Sequence, residues 1–226
     1  MTIFMPALIG LTLLACDSGE TESTQAESTA PVANEAAPPP PPADVNVPLP
    51  QLPEGEVLAV TSEASKILFK GAKVTGSHDG GFDAFTGSVI LKDDAVVGAS
   101  FTIDMDSTTS DHPKVTKHLK SKDFFHVEKY AEAKFISATV TPAPNPGAVT
   151  HKVDGVLDFH GKQRPLSFPA SIIIGESETT VTASFDINRQ NWGVAYPGKP
   201  DDLIKDDVEI KLNLSFQASN TQKAAE

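Results

Sequence analysis

Four stretches of this chain alternate apolar and polar residues with a period of two, over lengths that suit strands and no helix. Val97, Ala99, Phe101, Ile103 and Met105 share one face of the first, and Leu166, Phe168, Ala170, Ile172 and Ile174 share one face of the second. Val181, Ala183, Phe185 and Ile187 repeat the pattern, as do Val208, Ile210, Leu212, Leu214 and Phe216. Successive side chains of a strand point to opposite faces, so each stretch predicts an antiparallel strand with one apolar and one wet side. Shorter candidates near 57–60, 67–74, 82–92, 134–141 and 152–159 bring the expected total to about eight or nine strands. Turn-prone pieces such as His78-Asp79-Gly80-Gly81 and Pro142–Gly147 separate them.

Only one segment reads as helix. Ser110 or Asp111 offers a cap, Pro113 suits the first turn, and Val115 and Leu119 share a face. Many strands, one short helix and no βαβ alternation predict an all-β fold, an antiparallel barrel or sandwich. The 165 residues from Glu54 to about Ala218 are enough for one domain with its own core, and 219–226 read as a disordered tail.

The N-terminal quarter has a different character. Leu13-Leu14-Ala15-Cys16 closes an apolar run from Ile3 to Leu14 and resembles the lipobox of bacterial lipoproteins, in which the cysteine is acylated once residues 1–15 are removed. That run is too short to span a bilayer, which takes about 20 apolar residues, but it suits the apolar core of a secretory signal. A basic flank is missing, since no Lys or Arg precedes Lys66. From Asp17 to Pro53 the chain is rich in Ser, Thr, Glu, Ala and Pro, with five consecutive prolines at 38–42, six acids and no base. Such a segment buries too little to order itself, and residues 16–53 read as an acylated cysteine followed by a disordered, semi-rigid stalk. The expectation is a membrane-anchored lipoprotein on the periplasmic face of a bacterial envelope, with the membrane undetermined. Asp17 resembles an inner-membrane retention signal of some lineages.

Composition narrows the functional classes. A net charge of −12 with no basic stripe repels phosphate backbones, which argues against nucleic acid as a partner. One cysteine excludes an internal disulfide, so stability must come from apolar burial. The six histidines, His78, His112, His118, His126, His151 and His160, show no tight ligand spacing, and there is no Gly-x-Ser-x-Gly elbow. Asp201, Asp202, Asp206 and Asp207 read as a solvated acidic loop whose spacing fits no EF-hand. No metal, cofactor or catalytic group is indicated.

Three blocks are more specific. His118-Leu119-Lys120-Ser121-Lys122-Asp123-Phe124-Phe125-His126-Val127-Glu128-Lys129-Tyr130, running on to Ala133-Lys134-Phe135, resembles the central motif of the YceI-like family. Gly155-Val156-Leu157-Asp158-Phe159-His160-Gly161-Lys162-Gln163-Arg164-Pro165-Leu166 is similar to that family's later strand-turn-strand. Ile187-Asn188-Arg189-Gln190-Asn191-Trp192-Gly193 is similar to its Asn-Arg-x-x-aromatic-Gly block, and Phe82-Asp83-Ala84-Phe85-Thr86-Gly87 adds a weaker match. The resemblance implies an eight-stranded antiparallel, lipocalin-like barrel, some of whose members hold a polyisoprenoid or similar lipid inside. One departure stands out: many members open with Asp-x-x-His-Ser, and this chain has Thr61-Ser62-Glu63-Ala64-Ser65.

An eight-stranded barrel has an interior that side chains just fill or that holds one small ligand, and alternation alone does not separate the two. If the lumen is hollow, as the resemblance implies, the expected ligand-lining residues are Phe85, Phe101, Ile103, Leu119, Phe124, Phe125, Phe135, Leu157, Phe159, Phe168, Phe185 and Leu212. Arg189 and Trp192 are expected at one end. For any single Phe, plain core packing is the commoner fate. For Arg189 the favoured reading has its stem packed over Trp192 while it pairs with an acid; the rival has it neutralise an anionic lipid headgroup. The functional reading is a lipoprotein that binds a hydrophobic or amphiphilic small molecule, such as an isoprenoid. The alternatives are an enzyme acting on a lipid-like substrate, marked by a buried ionisable pair near His118 or Arg189, and a structural lipoprotein with a solid core.

Overall fold

The computed structural model describes residues 46–145 and 147–218. Cys16, the apolar run before it, most of the expected stalk and the C-terminal tail lie outside the described residues.

The chain runs through β1 (Glu56–Val60), β2 (Lys66–Lys73), β3 (Gly76–Phe82), β4 (Phe85–Lys92), β5 (Ala95–Asp104), β6 (Thr108–Ser110) and α1 (Pro113–Lys120). It continues with β7 (Glu132–Pro142), β8 (His151–Phe159), β9 (Lys162–Ile174), β10 (Thr179–Asn188), the short β11 (Gly198–Lys199) and β12 (Asp202–Leu203), and β13 (Asp207–Ala218). Several of these are halves of longer strands. β1 and β2 flank a 3₁₀ turn at Ser62–Ala64 and pair with β4 and β3, Ala59 opposite Ser88 and Ile67 opposite Phe82. β5 and β6 flank the turn at Met105–Ser107 and pair with β4 and β3 in the same way. Counted as continuous runs, eight antiparallel strands each pair with the next in sequence. The last, β13, closes on the first through Val60 opposite Phe216 and Leu212 opposite Ile67. The result is a closed, up-and-down eight-stranded barrel with one helix, as the alternation and the resemblance predict.

Local chemistry sets the turns. β8 and β9 meet through a two-residue hairpin in which His160 (φ 50°) and Gly161 (φ 74°) both adopt positive φ, the geometry that matches strand twist. Asp93 and Asp94 (φ 51° and 59°) do the same between β4 and β5.

The structure corrects the sequence expectations in detail. Val97 does not share the inward face of Ala99, because it is the extra residue of a bulge: Ile90 pairs with Gly98 and Leu91 with Val96, so Val96 turns into the core instead. The stretch 82–92 is broken at Asp83-Ala84, where the barrel wall bends. Neither Ser110 nor Asp111 caps α1; the ring of His112 accepts the Lys114 N–H at 3.2 Å, while Asp111 binds His78 at 2.9 Å. Residues 46–53, read from composition as the end of the stalk, lie against the barrel: Asn46 Oδ1 accepts the Gln163 N–H and Pro53 packs on Gly98.

The core divides in two. Most inward side chains gather around Val89, Phe135, Phe168, Leu214 and Phe216, and a second cluster of Met105, Ala133, Phe159, Trp192 and Val194 closes the end nearest α1.

Candidate ligand-binding cavity

Inward side chains leave the lumen open because several phenylalanine rings lie along the wall. Phe101 rests on Gly87 of the paired strand, where a Cβ would stand 2.4 Å from its Cδ1, and Phe135 rests on Gly155, where a Cβ would stand 2.6 Å from its Cζ. A side chain at either glycine would push the ring into the barrel. Between the rings lies a chamber lined by Ile67, Phe82, Phe101, Ile103, Met105, Ala133, Phe135, Leu157, Phe159, Leu166, Phe168, Phe185, Ile187, Ile210 and Leu212. Every one of these side chains is apolar. The chamber has a volume of about 120 Å³. An apolar cavity of this order, on the order of 150 Å³ in an engineered case, stays dry and accepts a nonpolar guest.

A second chamber of about 110 Å³ lies under α1, lined by Phe69, Gly71, Leu119, Phe124, Phe125, Arg189, Val194, Ile204 and Val208, and it shares Phe82, Phe159, Ile187 and Ile210 with the first. The partition between the two is aromatic. Phe125 inserts between Phe69, Phe82 and Phe159, with ring centroids 6.3, 6.4 and 5.7 Å away. The turn after α1 holds it there, the Phe125 N–H bonding Leu119 O at 2.9 Å and the His126 N–H bonding Ser121 O at 2.8 Å. The α1 end therefore carries an aromatic lid.

Most of the expected lining residues meet in these chambers. Phe101, Ile103, Phe135, Leu157, Phe159, Phe168, Phe185 and Leu212 face the inner one, and Leu119, Phe124, Phe125 and Arg189 the outer. Two do not. Phe85 is buried in the main cluster away from both chambers, and Trp192, only 2% exposed, closes the barrel end with its indole N–H on Leu157 O at 3.0 Å. Ile67, Phe82, Met105, Ala133, Leu166, Ile187 and Ile210 complete the inner wall although sequence reasoning did not single them out. Met105, Leu166, Ile187 and Ile210 stood on recognised alternating faces, which do not separate lumen from filled core.

Arg189 faces inward at the α1 end without offering a free charge. Its Nε and Nη groups donate to Lys205 O, Val194 O, Ile204 O and Asp206 Oδ1 at 3.1, 2.6, 3.4 and 2.9 Å. It ties the turn at Arg189–Trp192 to the chain entering β13 and pairs there with an acid, Asp206. Two further acids of that loop are engaged: Asp202 binds Lys73 and Thr75, and Asp207 accepts from Asn188. Among the described residues no group of three His, Cys, Asp or Glu side chains is placed to hold a metal.

His160, in the β8–β9 hairpin, is the polar outlier. Its Nδ1 lies 3.1 Å from Trp192 O, so Nδ1 carries the proton; its Nε2 is buried with no partner, and the Tyr130 ring stands 4.4 Å away. Burial holds its pKa below the ordinary histidine value, with Trp192 O opposing and His126 and nearby lysines adding to the lowering. A histidine kept neutral in the fold costs nothing above its unfolded pKa of about 6.5, and destabilises as pH falls below that value, because the unfolded chain takes up the proton first. His151, lowered by burial, acts in the same direction. Thermal unfolding from pH 8 to 5 is expected to show a plateau and then a decline beginning near neutrality. His160→Asn, which tolerates the positive φ, should shallow that decline.

An up-and-down barrel of eight strands around an apolar lumen, with a helix at one end, is a lipocalin-like architecture. This chain belongs to the family of the YceI-like domain, whose pattern matches residues 58–216. Among its relatives is a UPF0312 protein of Pseudomonas fluorescens (strain SBW25), 32% identical over 111 residues that make up 46% of this chain and 56% of the relative. The UPF0312 protein PputGB1_5030 of Pseudomonas putida (strain GB-1) is 27% identical over 140 residues, 58% of this chain and 71% of that one. The matched parts thus span between about half and three quarters of these relatives. Among solved structures, Burkholderia cenocepacia BcnA superposes with a TM-score of 0.63 at 24% identity, over 69% of this chain and 98% of that one. A domain from Saccharophagus degradans described as polyisoprenoid-binding superposes with a TM-score of 0.58 at 14% identity, over 73% of this chain and 99% of that one. Both share the fold.

Proposed function

We propose that this protein binds a hydrophobic or amphiphilic small molecule of isoprenoid or similar long-chain type inside the barrel, and is not an enzyme. The observation that carries the reading is the inner chamber, whose fifteen lining side chains hold no ionisable group. Such a lumen offers burial without chemistry. Each methylene moved into it gains about 0.8 kcal/mol, so a chain of about fifteen carbons gains about 12 kcal/mol and, after an association cost of about 4 kcal/mol, reaches roughly micromolar affinity. The polyisoprenoid-binding description of the Saccharophagus degradans neighbour agrees with this ligand class. The features that would mark an enzyme are weak: His118 pairs with Asp123 at the surface, and Arg189 is occupied by carbonyls and Asp206.

Filling the chamber tests the reading. Ala133, 4% exposed, faces the lumen opposite Ile103. Ala133→Leu adds three carbons where the ligand would lie. It is expected to weaken binding of N-dodecyl dansylamide by about 2 kcal/mol, roughly thirty-fold, in a fluorescence titration. Val57→Ser, at a half-exposed site outside both chambers, should leave binding unchanged. No blue-shifted emission with the parent chain at micromolar probe would refute the binding function.

The cellular setting belongs to the same proposal. The lipobox-like Leu13-Leu14-Ala15-Cys16 and the acid-rich, proline-rich segment after it support a lipoprotein whose barrel stands on the periplasmic side of a bacterial membrane. Labelled palmitate should enter the expressed protein and be lost in Cys16→Ser; equal labelling of both would refute the anchor.

A further inference from the structure

One seam of the barrel wall is not zipped. β9 and β10 pair only from Thr179 opposite Ile174 to Thr182 opposite Ser171, although β9 begins at Lys162 and β10 runs on to Asn188. The cause is in the sequence. Thr150 N–H donates to Ala170 O, and Ile172 N–H donates to Thr150 Oγ1, so even-numbered residues of β9 turn their backbone groups toward the β8 side. Odd-numbered residues turn theirs toward β10. Pro165 and Pro169 stand at odd positions and have no N–H to give, so the ladder stops one odd position short of Pro169. Gln163, also odd, uses its N–H on Asn46 and its C=O on Val47 instead of on β10.

Other contacts frame a window in the wall. At one end are the four ladder pairs; at the other, Arg164 Nε donates to Asn191 O at 3.2 Å. Across the middle, the Phe168 and Phe185 rings stack with centroids 4.4 Å apart and planes within 12°. Both rings line the inner chamber. Outside them, where the ladder stops, lies a cleft of about 340 Å³ bordered by Ser171, Thr182, Ser184, Asn213 and Lys211. Leu212 lines both this cleft and the inner chamber. Lys211 is paired with Glu209, which also accepts from Ser184, and Ala148, Val149 and Pro169 complete the border, so the cleft is amphipathic, with hydroxyl and amide groups beside apolar ones and its one lysine paired.

We propose that this seam is a lateral portal of the cavity, in which an amphiphile with its chain in the lumen rests an uncharged, hydrogen-bonding head. The inference rests on the binding function proposed above and adds where the head lies and by which route the chain passes. The stacked pair is the gate: two rings held face to face by packing part without breaking a backbone ladder. At the α1 end of the lumen itself, access requires withdrawal of Phe125 from three other rings.

The probe is N-dodecyl dansylamide, whose bulky sulfonamide head reports its own position. In the full chain carrying Cys16→Ser, a nitroxide is attached either through Thr182→Cys beside the cleft or through Lys117→Cys on α1. Strong dansyl quenching from position 182 and little from 117 is the expected result; the reverse would overturn the portal while leaving the binding function intact. Absence of any bound probe in the unlabelled chain would remove the binding function and the portal with it. Restoring both donors with Pro165→Val and Pro169→Val is expected to slow uptake about tenfold, through two recovered hydrogen bonds. An unchanged rate in that variant, folded by circular dichroism, would also overturn the portal.

Discussion

Phe216→Ala is expected to lower the unfolding free energy by about 3–5 kcal/mol, among the largest single-residue effects in the barrel. Phe216 is fully buried at the point of closure, paired with Val60 of β1 on one side and Thr179 of β10 on the other. Its ring meets the Phe101 ring edge-on at 6.0 Å. Truncation leaves a void where the first strand joins the last. Since a domain's whole stability is about 5–15 kcal/mol, the midpoint should fall by on the order of 10 °C. Urea unfolding followed by circular dichroism checks it, and the slope should stay constant if the native barrel keeps its closure. A loss under about 1 kcal/mol would mean that the closing pairs of β1 contribute little to cooperative unfolding.

Arg189→Ala should destabilise by about 3 kcal/mol, for a different reason. The guanidinium is 6% exposed and serves three carbonyls and one carboxylate, so its loss leaves buried acceptors unpaired. Asp206 itself is half exposed and can be rehydrated, which places most of the cost in the carbonyls of Val194, Ile204 and Lys205. Arg189→Lys should recover little of it, because one ammonium cannot reproduce a planar fork aimed at separate acceptors. Thermal unfolding gives the size, and faster amide exchange across 194–206 gives the location. Full recovery by Lys would show that the charge matters more than the geometry, as a headgroup-binding role requires.

These two residues show what was legible in the chain. Phe216 could be assigned to the interior at once, since it closes the run Val208, Ile210, Leu212, Leu214 and Phe216 on one face. Its neighbours Ile210 and Leu212 belong to the same face and yet line the cavity, while Phe216 fills the wall. Nothing in the alternation separates them, because both fates need an inward apolar side chain. Arg189 was recognisable as a member of a motif, but three of its four partners come from a loop some fifteen residues away whose path no local pattern describes. The acceptor carbonyls of that loop are common to any sequence.

The α1 end shows a similar limit. Val115, Leu119 and the Phe pair marked a helix and a following apolar turn, but that Phe125 stands among Phe69, Phe82 and Phe159 depends on the barrel beneath it. Pro165 and Pro169 were visible as well. Their consequence was not, since a missing donor matters only once the strand on that side is known.

By itself the sequence determined the strands, the inward face of most of them and the family, because period-two alternation and turn residues act through neighbouring bonds of the backbone. The tertiary structure decided that the lumen is hollow, that Phe85 and Trp192 stand outside it, that Arg189 is a tie between loops and that one seam is unzipped. Those outcomes depend on which strand lies opposite which and in what register, and on how rings settle over glycines across the ladder. They arise only when the sheet closes on itself.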